Sequence, residues 1–222
     1  MQISVVIPAL NEADHISQTL SRLQGMRQRG HEVIVVDGGS HDNTMEIATP
    51  LCDVVIQAGK GRALQMQAGV THTKGDILWF LHADTLIPEN ADNIIRWALD
   101  KKYWGRFNVV ITSQYKLLKL VSFMMNLRSC ITGICTGDQG MFVKKETYNR
   151  VGGFPIISLM EDVALSKRLK QLGRPACVKE VLHTSGRRWE QHGVAKTIFT
   201  MWLLRALYFL RVDPVVLGNM YK

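Results

Sequence analysis

Four short apolar runs in the first 81 residues constrain this chain most: Ile3-Ser-Val-Val-Ile7, His31-Glu-Val-Ile-Val-Val-Asp37, Asp53-Val-Val-Ile-Gln57 and Asp76-Ile-Leu-Trp-Phe-Leu81. Each is too short for a stable helix and rich in β-branched or aromatic residues. Between them lie segments of helical period. One opens near Asn11 with Ile16, Leu20 and Leu23 on one face, a short one runs through Met45 and Ile47, and another carries Ala63, Met66 and Val70. Continuous apolar strands alternating with helices predict an α/β fold, a mostly parallel sheet covered by helices on both faces. Pro8 is expected to end the first strand.

Beyond Trp97 the rhythm changes. Phe107–Ile111 reads as a strand, 115–127 as an amphipathic helix, Met141–Val143 as a strand and Met160–Leu172 as a helix. A last strand around Val178–Leu182 precedes a basic turn and a C-terminal helix over about 194–210. No repeat or linker divides the 222 residues, so one domain spanning 1–222 is expected.

The net charge of +8 conceals a division: residues 1–100 hold 7 Lys/Arg against 12 Asp/Glu, and residues 101–222 hold 20 against 7. A basic C-terminal half suits polyanions or an anionic membrane. Its cations are scattered among aliphatic helices without zinc spacing or a helix-turn-helix pattern, which argues against a nucleic-acid partner. Cys52, Cys130, Cys135 and Cys177 form no CxxC, so reduced thiols in a cytoplasmic protein are expected. The chain starts on a strand without a basic, cleavable leader, which agrees with that location.

Three polar clusters follow predicted strands: Pro8-Ala-Leu-Asn-Glu12, Asp37-Gly-Gly-Ser-His-Asp42 and His82-Ala-Asp84. Parallel strands deliver all three to one sheet edge, where open α/β sheets bind ligands. Asp84 there suits a divalent cation holding a diphosphate; its bland alternative is a cap on the helix near Pro88. These clusters, in this order, resemble the motifs of family-2 inverting glycosyltransferases with the GT-A fold. Those enzymes read strand-Pro-x-x-Asn-Glu, then strand-Asp-(Asp/Gly)-Gly-Ser-x-Asp-x-Thr, then Asp-x-Asp after the fourth strand. The resemblance covers about residues 3–172, and Gly59-Lys-Gly-Arg-Ala-Leu-Gln-Met-Gln-Ala-Gly69 is similar to a subgroup of mostly uncharacterised members.

The resemblance implies a nucleotide-sugar donor, UDP- or GDP-linked, held by residues 1–100, with the acceptor held by 101–222. Donor contacts are expected from Pro8, Ala9, Asn11, Glu12, Asp37, Gly38, Lys60, Arg62, His82, Ala83 and Asp84. Asp37 is suited to hydrogen-bond a nucleobase or ribose, or else closes an Asx-turn in its own loop. Asn11 is expected to cap the first helix, leaving the Ala9 backbone and Glu12 toward the nucleotide; Ser40 and Asp42 are expected to cap the next helix. Lys60 and Arg62 flank a helix entry suited to base or diphosphate. Met66-Gln67 stands where many members place Arg-Asn, so contacts from that Arg do not transfer.

Asp84 is the expected ligand of Mn²⁺ or Mg²⁺. His82, replacing the first Asp of the motif, either favours Mn²⁺ or shapes the ribose pocket, and His183 is a second candidate ligand. The resemblance places the catalytic base in Glu161-Asp162. Ser158 and Glu161 fit a capping box, S-x-x-E, which would leave Asp162 free. Asp138 and Gln139 are expected to line the acceptor or sugar pocket. Arg187 and Arg188 are expected to close over the diphosphate, with Trp189 beside them at the acceptor or the diphosphate; Ser185, where processive relatives carry Gln, argues against polymer synthesis.

Residues 115–127 and 194–210 are aliphatic but too short to span a bilayer. Lys116, Lys119, Arg128, Lys196, Arg205 and Arg211 border their apolar faces, as in helices lying on the cytosolic face of an anionic membrane, where a lipid-linked acceptor would be met. Packing on each other or a homodimer contact is the alternative. The sequence therefore reads as a metal-dependent inverting glycosyltransferase, against a nucleotidyltransferase or a catalytically silent nucleotide-binding scaffold.

Overall fold

The computed structural model describes residues 1–221. Its eight strands are β1 (Ile3–Ala9), β2 (Glu32–Asp37), β3 (Val54–Gln57), β4 (Ile77–Phe80), β5 (Thr85–Leu86), β6 (Trp104–Thr112), β7 (Phe142–Lys144) and β8 (Ala176–Ser185). They form one sheet in the order β3-β2-β1-β4-β7-β6-β8-β5. The four strands expected to be parallel are so. Beyond β4 the sheet becomes mixed: β7 runs antiparallel to β4 and β6, β8 parallel to β6, and β5 antiparallel to β8.

Helices α1 (Ala13–Gln28), α2 (Thr44–Ala48), α3 (Arg62–Thr71) and α4 (Ala91–Ala98) belong to the first half. The second half adds α5 (Leu117–Thr132), α6 (Lys145–Arg150), α7 (Glu161–Leu172), α8 (Arg187–His192), α9 (Val194–Phe209) and α10 (Pro214–Met220). Strand alternation divides the core between the two sheet faces. Ile3, Val5 and Ile7 pack with Ile16, Leu20 and Leu23 of α1 on one side. Val6, Ile34 and Val36 meet Met66 of α3 and Leu165 and Leu169 of α7 on the other. A small third cluster joins Met160 and Val163 to Leu204 of α9 and Leu217 of α10.

Contrary to expectation, Pro8 does not end β1. It pairs in register with Val36, and Ala9 with Asp37; near the end of a strand, a missing N–H costs one ladder bond at most. Helix α5 runs to Thr132, past the expected end at 127, and stops where Gly133 takes a left-handed φ of 68°. Helix α6 escaped the sequence reading, being a single short polar segment directly after β7. The two-residue strand β5 matters most for function: its antiparallel pairing of Thr85 with Thr184 brings the end of β8 beside the loop that carries Asp84.

Candidate active site

The first two strand-end loops are laced together. The Asn11 N–H donates to Ser40 Oγ at 2.9 Å and its Oδ1 accepts from the His41 N–H at 2.9 Å. Asn11 therefore ties loop to loop at φ 53° rather than capping α1. Asp42 accepts from the Ala13 and Thr44 N–H groups, serving the starts of α1 and α2. Asp37 is fully buried; its Oδ2 accepts from the Gly39 and Ser40 N–H groups at 2.8 Å and its Oδ1 from Ser40 Oγ. Its carboxylate thus builds the Asx-turn, and Ser40 serves Asp37 instead of the helix. The Ala9 carbonyl accepts from the Gly38 N–H and from Gln65 Nε2, which occupies its lone pairs. Gln65, which also donates to the Val36 carbonyl, fastens the ends of β1 and β2 and gave no signal in the sequence.

Asp84 leaves β4 half-buried, with Oδ1 3.3 Å from the Thr184 hydroxyl that donates to it. Glu12 lies close enough that the Asp84 charge adds to the effect of burial in pushing its carboxyl above the ordinary value; Arg187 opposes the shift. Arg187, at the start of α8, donates to both Glu12 oxygens at 3.0 and 2.9 Å, which folds the C-terminal segment over the first loop. His183 is exposed and, by strand alternation, lies on the other face of β8 from Thr184. The hydrogen bond to Asp84 comes from Thr184 instead.

The turn Gly137–Gln139 is the hub of a second polar cluster. The Gly137 N–H donates to Asp162 Oδ2 at 2.8 Å. A Cβ on Gly137 would meet His82 Nε2 at 2.6 Å and Arg62 Nη1 at 3.5 Å, so this close approach requires glycine. Asp138 Oδ1 stands 3.1 Å from His82 Nδ1. Burial works against the Asp138 charge, yet the hydrogen bond and charge of His82, with Arg62 and Arg205, hold its carboxyl at about 2. The other ring nitrogen of His82 is buried without a partner. Gln139 is wholly buried, donating to Ser129 and accepting from the Thr136 N–H, so it braces the turn instead of lining a pocket.

The expected capping box is absent. Met160, with a left-handed φ of 69°, precedes α7, and no side chain caps it. Glu161 instead lies buried with Oε1 3.8 Å from Arg62 Nη1. Burial, then the charge of Asp162, raise its carboxyl above the ordinary value, and Arg62 only partly offsets them. Asp162 is half-buried and faces a cleft of about 450 Å³ between α5, α7 and α9, shared with Glu161, Arg62, Asp138 and Trp189. Arg62 stands beside the acids of this cleft, and both it and Lys60 are exposed. Ala83 is buried, its carbonyl accepting from the Thr19 hydroxyl. Arg188 is drawn away to the Tyr221 carbonyl and lies 3.8 Å over that ring; it buttresses the segment after α10 and does not reach the Asp84 loop.

Residues 4–107 match the model described as glycosyl transferase family 2. Poly-beta-1,6-N-acetyl-D-glucosamine synthase of Staphylococcus aureus is 26% identical over 215 residues, covering 85% of this chain and 52% of the relative. An uncharacterized glycosyltransferase of Mycobacterium tuberculosis is 33% identical over 87 residues, 36% of this chain and 33% of the relative. The chain thus spans about half, or less, of the curated relatives it matches. Among solved structures, a mannosyltransferase of Pyrobaculum calidifontis in complex with GDP-Man and Mn²⁺ superposes with a TM-score of 0.63 at 22% identity, covering 82% of this chain and 56% of that one. Glucosyl-3-phosphoglycerate synthase of M. tuberculosis with Mg²⁺ and UDP gives 0.58 at 19% identity, covering 83% and 69%. These likenesses show the fold, which is GT-A.

Proposed function

We propose, from the match of residues 4–107 to the model described as glycosyl transferase family 2, that this chain transfers a sugar from a UDP- or GDP-linked donor to an acceptor hydroxyl with inversion at C1. The observation that carries this reading is the Gly137–Gln139 turn. It bonds to Asp162 through Gly137 and to His82 through Asp138, joining the cleft of the acids to the loop that ends in Asp84.

Asp84 fits a hard divalent cation, Mn²⁺ or Mg²⁺, because a carboxylate at the sheet edge with Glu12 nearby supplies oxygen and negative charge. No cluster of three or more His, Cys, Asp or Glu occurs among the described residues, so diphosphate oxygens and water would complete its shell. Bound there, the ion would neutralise charge on the diphosphate. Arg187 is poised to exchange Glu12 for that diphosphate and stabilise its leaving. Asp37, Asn11 and Ser40 hold the loops that shape the nucleoside pocket. Asp162 accepts the hydroxyl proton as the acceptor oxygen bonds to C1, and the C1–O bond to the diphosphate breaks with its electron pair. Glu161, 4% exposed, is less able to reach an acceptor.

Thermal stabilisation by UDP-, GDP- and TDP-sugars, each with and without Mn²⁺, tests the donor class. Stabilisation by one nucleotide sugar, enhanced by the cation, is expected; indifference to all of them would defeat the proposal. No helix among the described residues is long and apolar enough to cross a membrane. The exposed Leu120, Phe123, Phe199 and Trp202 beside Lys116, Lys119 and Lys196 support docking on an anionic membrane surface. Flotation with phosphatidylglycerol but not phosphatidylcholine vesicles would bear this out, and concentration-dependent dimerisation without flotation would replace it.

A further inference from the structure

We infer that the cleft between α5 and α9 is built for a single-chain lipid phosphate acceptor. Its alkyl chain would lie along the apolar walls, its phosphate against Arg128 and Arg205, and its hydroxyl at Asp162. The inference rests on the transferase reading and names its acceptor class.

The cleft walls explain the chain. Leu120, Val121 and Met124 of α5 face Ile198, Met201 and Trp202 of α9 across it. Apolar side chains on both sides of an open groove leave their surface in water unless an occupant covers it. At the inner end the lining turns polar, with Asp138, Glu161 and Asp162 beside Arg128 and Arg205. Among the described residues neither Arg128 nor Arg205 has a carboxylate within 4.0 Å, and Arg128 Nη2 is buried with no hydrogen-bond partner. A buried guanidinium nitrogen without a partner carries a desolvation cost that an anionic ligand would relieve. Consistently, burial and then the charge of Arg205 bring Arg128 down to about 10. Burial also lowers Arg205, against the pull of Asp162 and Asp138. Cations without partners, apolar walls and a carboxylate suited to accept a proton together describe an amphiphile with an anionic head and a nearby hydroxyl. A sugar alone would leave most of the apolar wall uncovered.

The test uses the full chain and tryptophan fluorescence, since Trp189 and Trp202 line the cleft. Oleoyl lysophosphatidic acid below its micellar concentration should bind; monooleoylglycerol should bind about tenfold or more weakly, and glycerol 3-phosphate still less. The double variant R128Q/R205Q should lose about tenfold or more for the lipid phosphate and change little for monooleoylglycerol. Equal binding of the two lipids, equal binding of glycerol 3-phosphate, or an unaffected double variant would each overturn the inference. So would self-association that fills the groove and excludes lipid. Donor-induced thermal stabilisation of the same variant separates the two readings. If it persists while lipid binding fails in the parent chain, only the acceptor assignment falls; if the parent chain shows no donor response, the transferase reading itself falls.

Discussion

In β1, β2 and β4 every apolar side chain is buried, whereas α9 hides only Thr197 and Leu204 among its 16 residues and leaves Phe199 70% and Trp202 73% exposed. The half proposed to hold the donor is a close-packed parallel sheet whose strand ends fix polar loops by hydrogen bonds among themselves. The half proposed to hold the acceptor packs α5 against β6 and α9 against α8 and α10, and leaves much of the surface of these aliphatic helices uncovered. The contrast teaches that the loops proposed to hold the donor are braced by the fold's own hydrogen bonds, while the helices proposed to meet the acceptor leave apolar surface uncovered. Each half can be attacked separately.

The largest effect is expected on the donor side. Asp84→Ala should lower turnover by about 10²–10³-fold or more, since it removes the anchor of charge on the leaving diphosphate. It should also abolish cation-dependent stabilisation by the donor. Near-parental transfer by this variant would show that the metal assignment is misplaced.

On the acceptor side Asp162→Asn should leave donor binding unchanged by calorimetry while turnover drops by about 10²–10⁴-fold, the range for loss of a general base. The contrast is then one of binding against chemistry. If donor affinity fell as far as turnover, Asp162 would belong to the donor half after all.

Packing makes the same contrast in stability. Gly69 of α3 lies against the sheet so closely that a Cβ would collide with Val6 and come within 2.9 Å of Val36 Cγ2. Gly69→Ala should therefore cost about 1–3 kcal/mol in denaturant unfolding, as overpacking does. Phe199→Ser, on the exposed face of α9, should fall within about 0.5 kcal/mol of the parent. A large loss at Phe199 would mean that α9 is covered in solution.

How much of this could be read beforehand also divides between the halves. The four parallel strands and the three strand-end clusters were readable because short apolar runs and polar breaks are local signals. Thr184 was not, because the expected last strand stopped at Leu182 and the pairing of β8 with β5 that sets Thr184 beside Asp84 joins residues about a hundred apart in sequence. The Ser158–Glu161 box failed because Met160 takes a left-handed φ at the helix start, a conformation that its side chain does not advertise. Gln65 and Gln139 look like any surface glutamine, and only the tertiary fold tells that both are buried hydrogen-bond braces. Arg188 was misread for the same reason: its partner, Tyr221, lies 33 residues away.

Arg187 crosses between the halves. Its pair with Glu12 is partly exposed, at 36% and 19%, so Arg187→Ala should change stability by no more than about 1 kcal/mol. Donor KM should nevertheless rise about tenfold, a change of the size expected from losing one charge-assisted contact to the diphosphate. A stability loss without a change in KM would make Arg187 a strut alone.

The smallest effect is expected at Glu161, where burial sets function against stability. Its carboxyl is pushed above the ordinary 4.5 by burial and by Asp162, more than Arg62 restores. A raised folded value means that the fold favours the protonated form. Stability from that group is complete below 4.5 and is lost as pH rises through the folded value. Glu161→Gln keeps the shape and removes the charge, so it should raise the melting temperature at pH 7, each 1 kcal/mol being worth about 2–4 °C in a chain of this size. Below pH 4.5 the difference should shrink, because Glu161 is then protonated in both states. Melting curves of parent and variant between pH 4 and 7 decide it. A variant less stable at pH 7 would show that the Arg62 pair outweighs burial, and that the acidic end of the acceptor cleft is as settled as the donor loops.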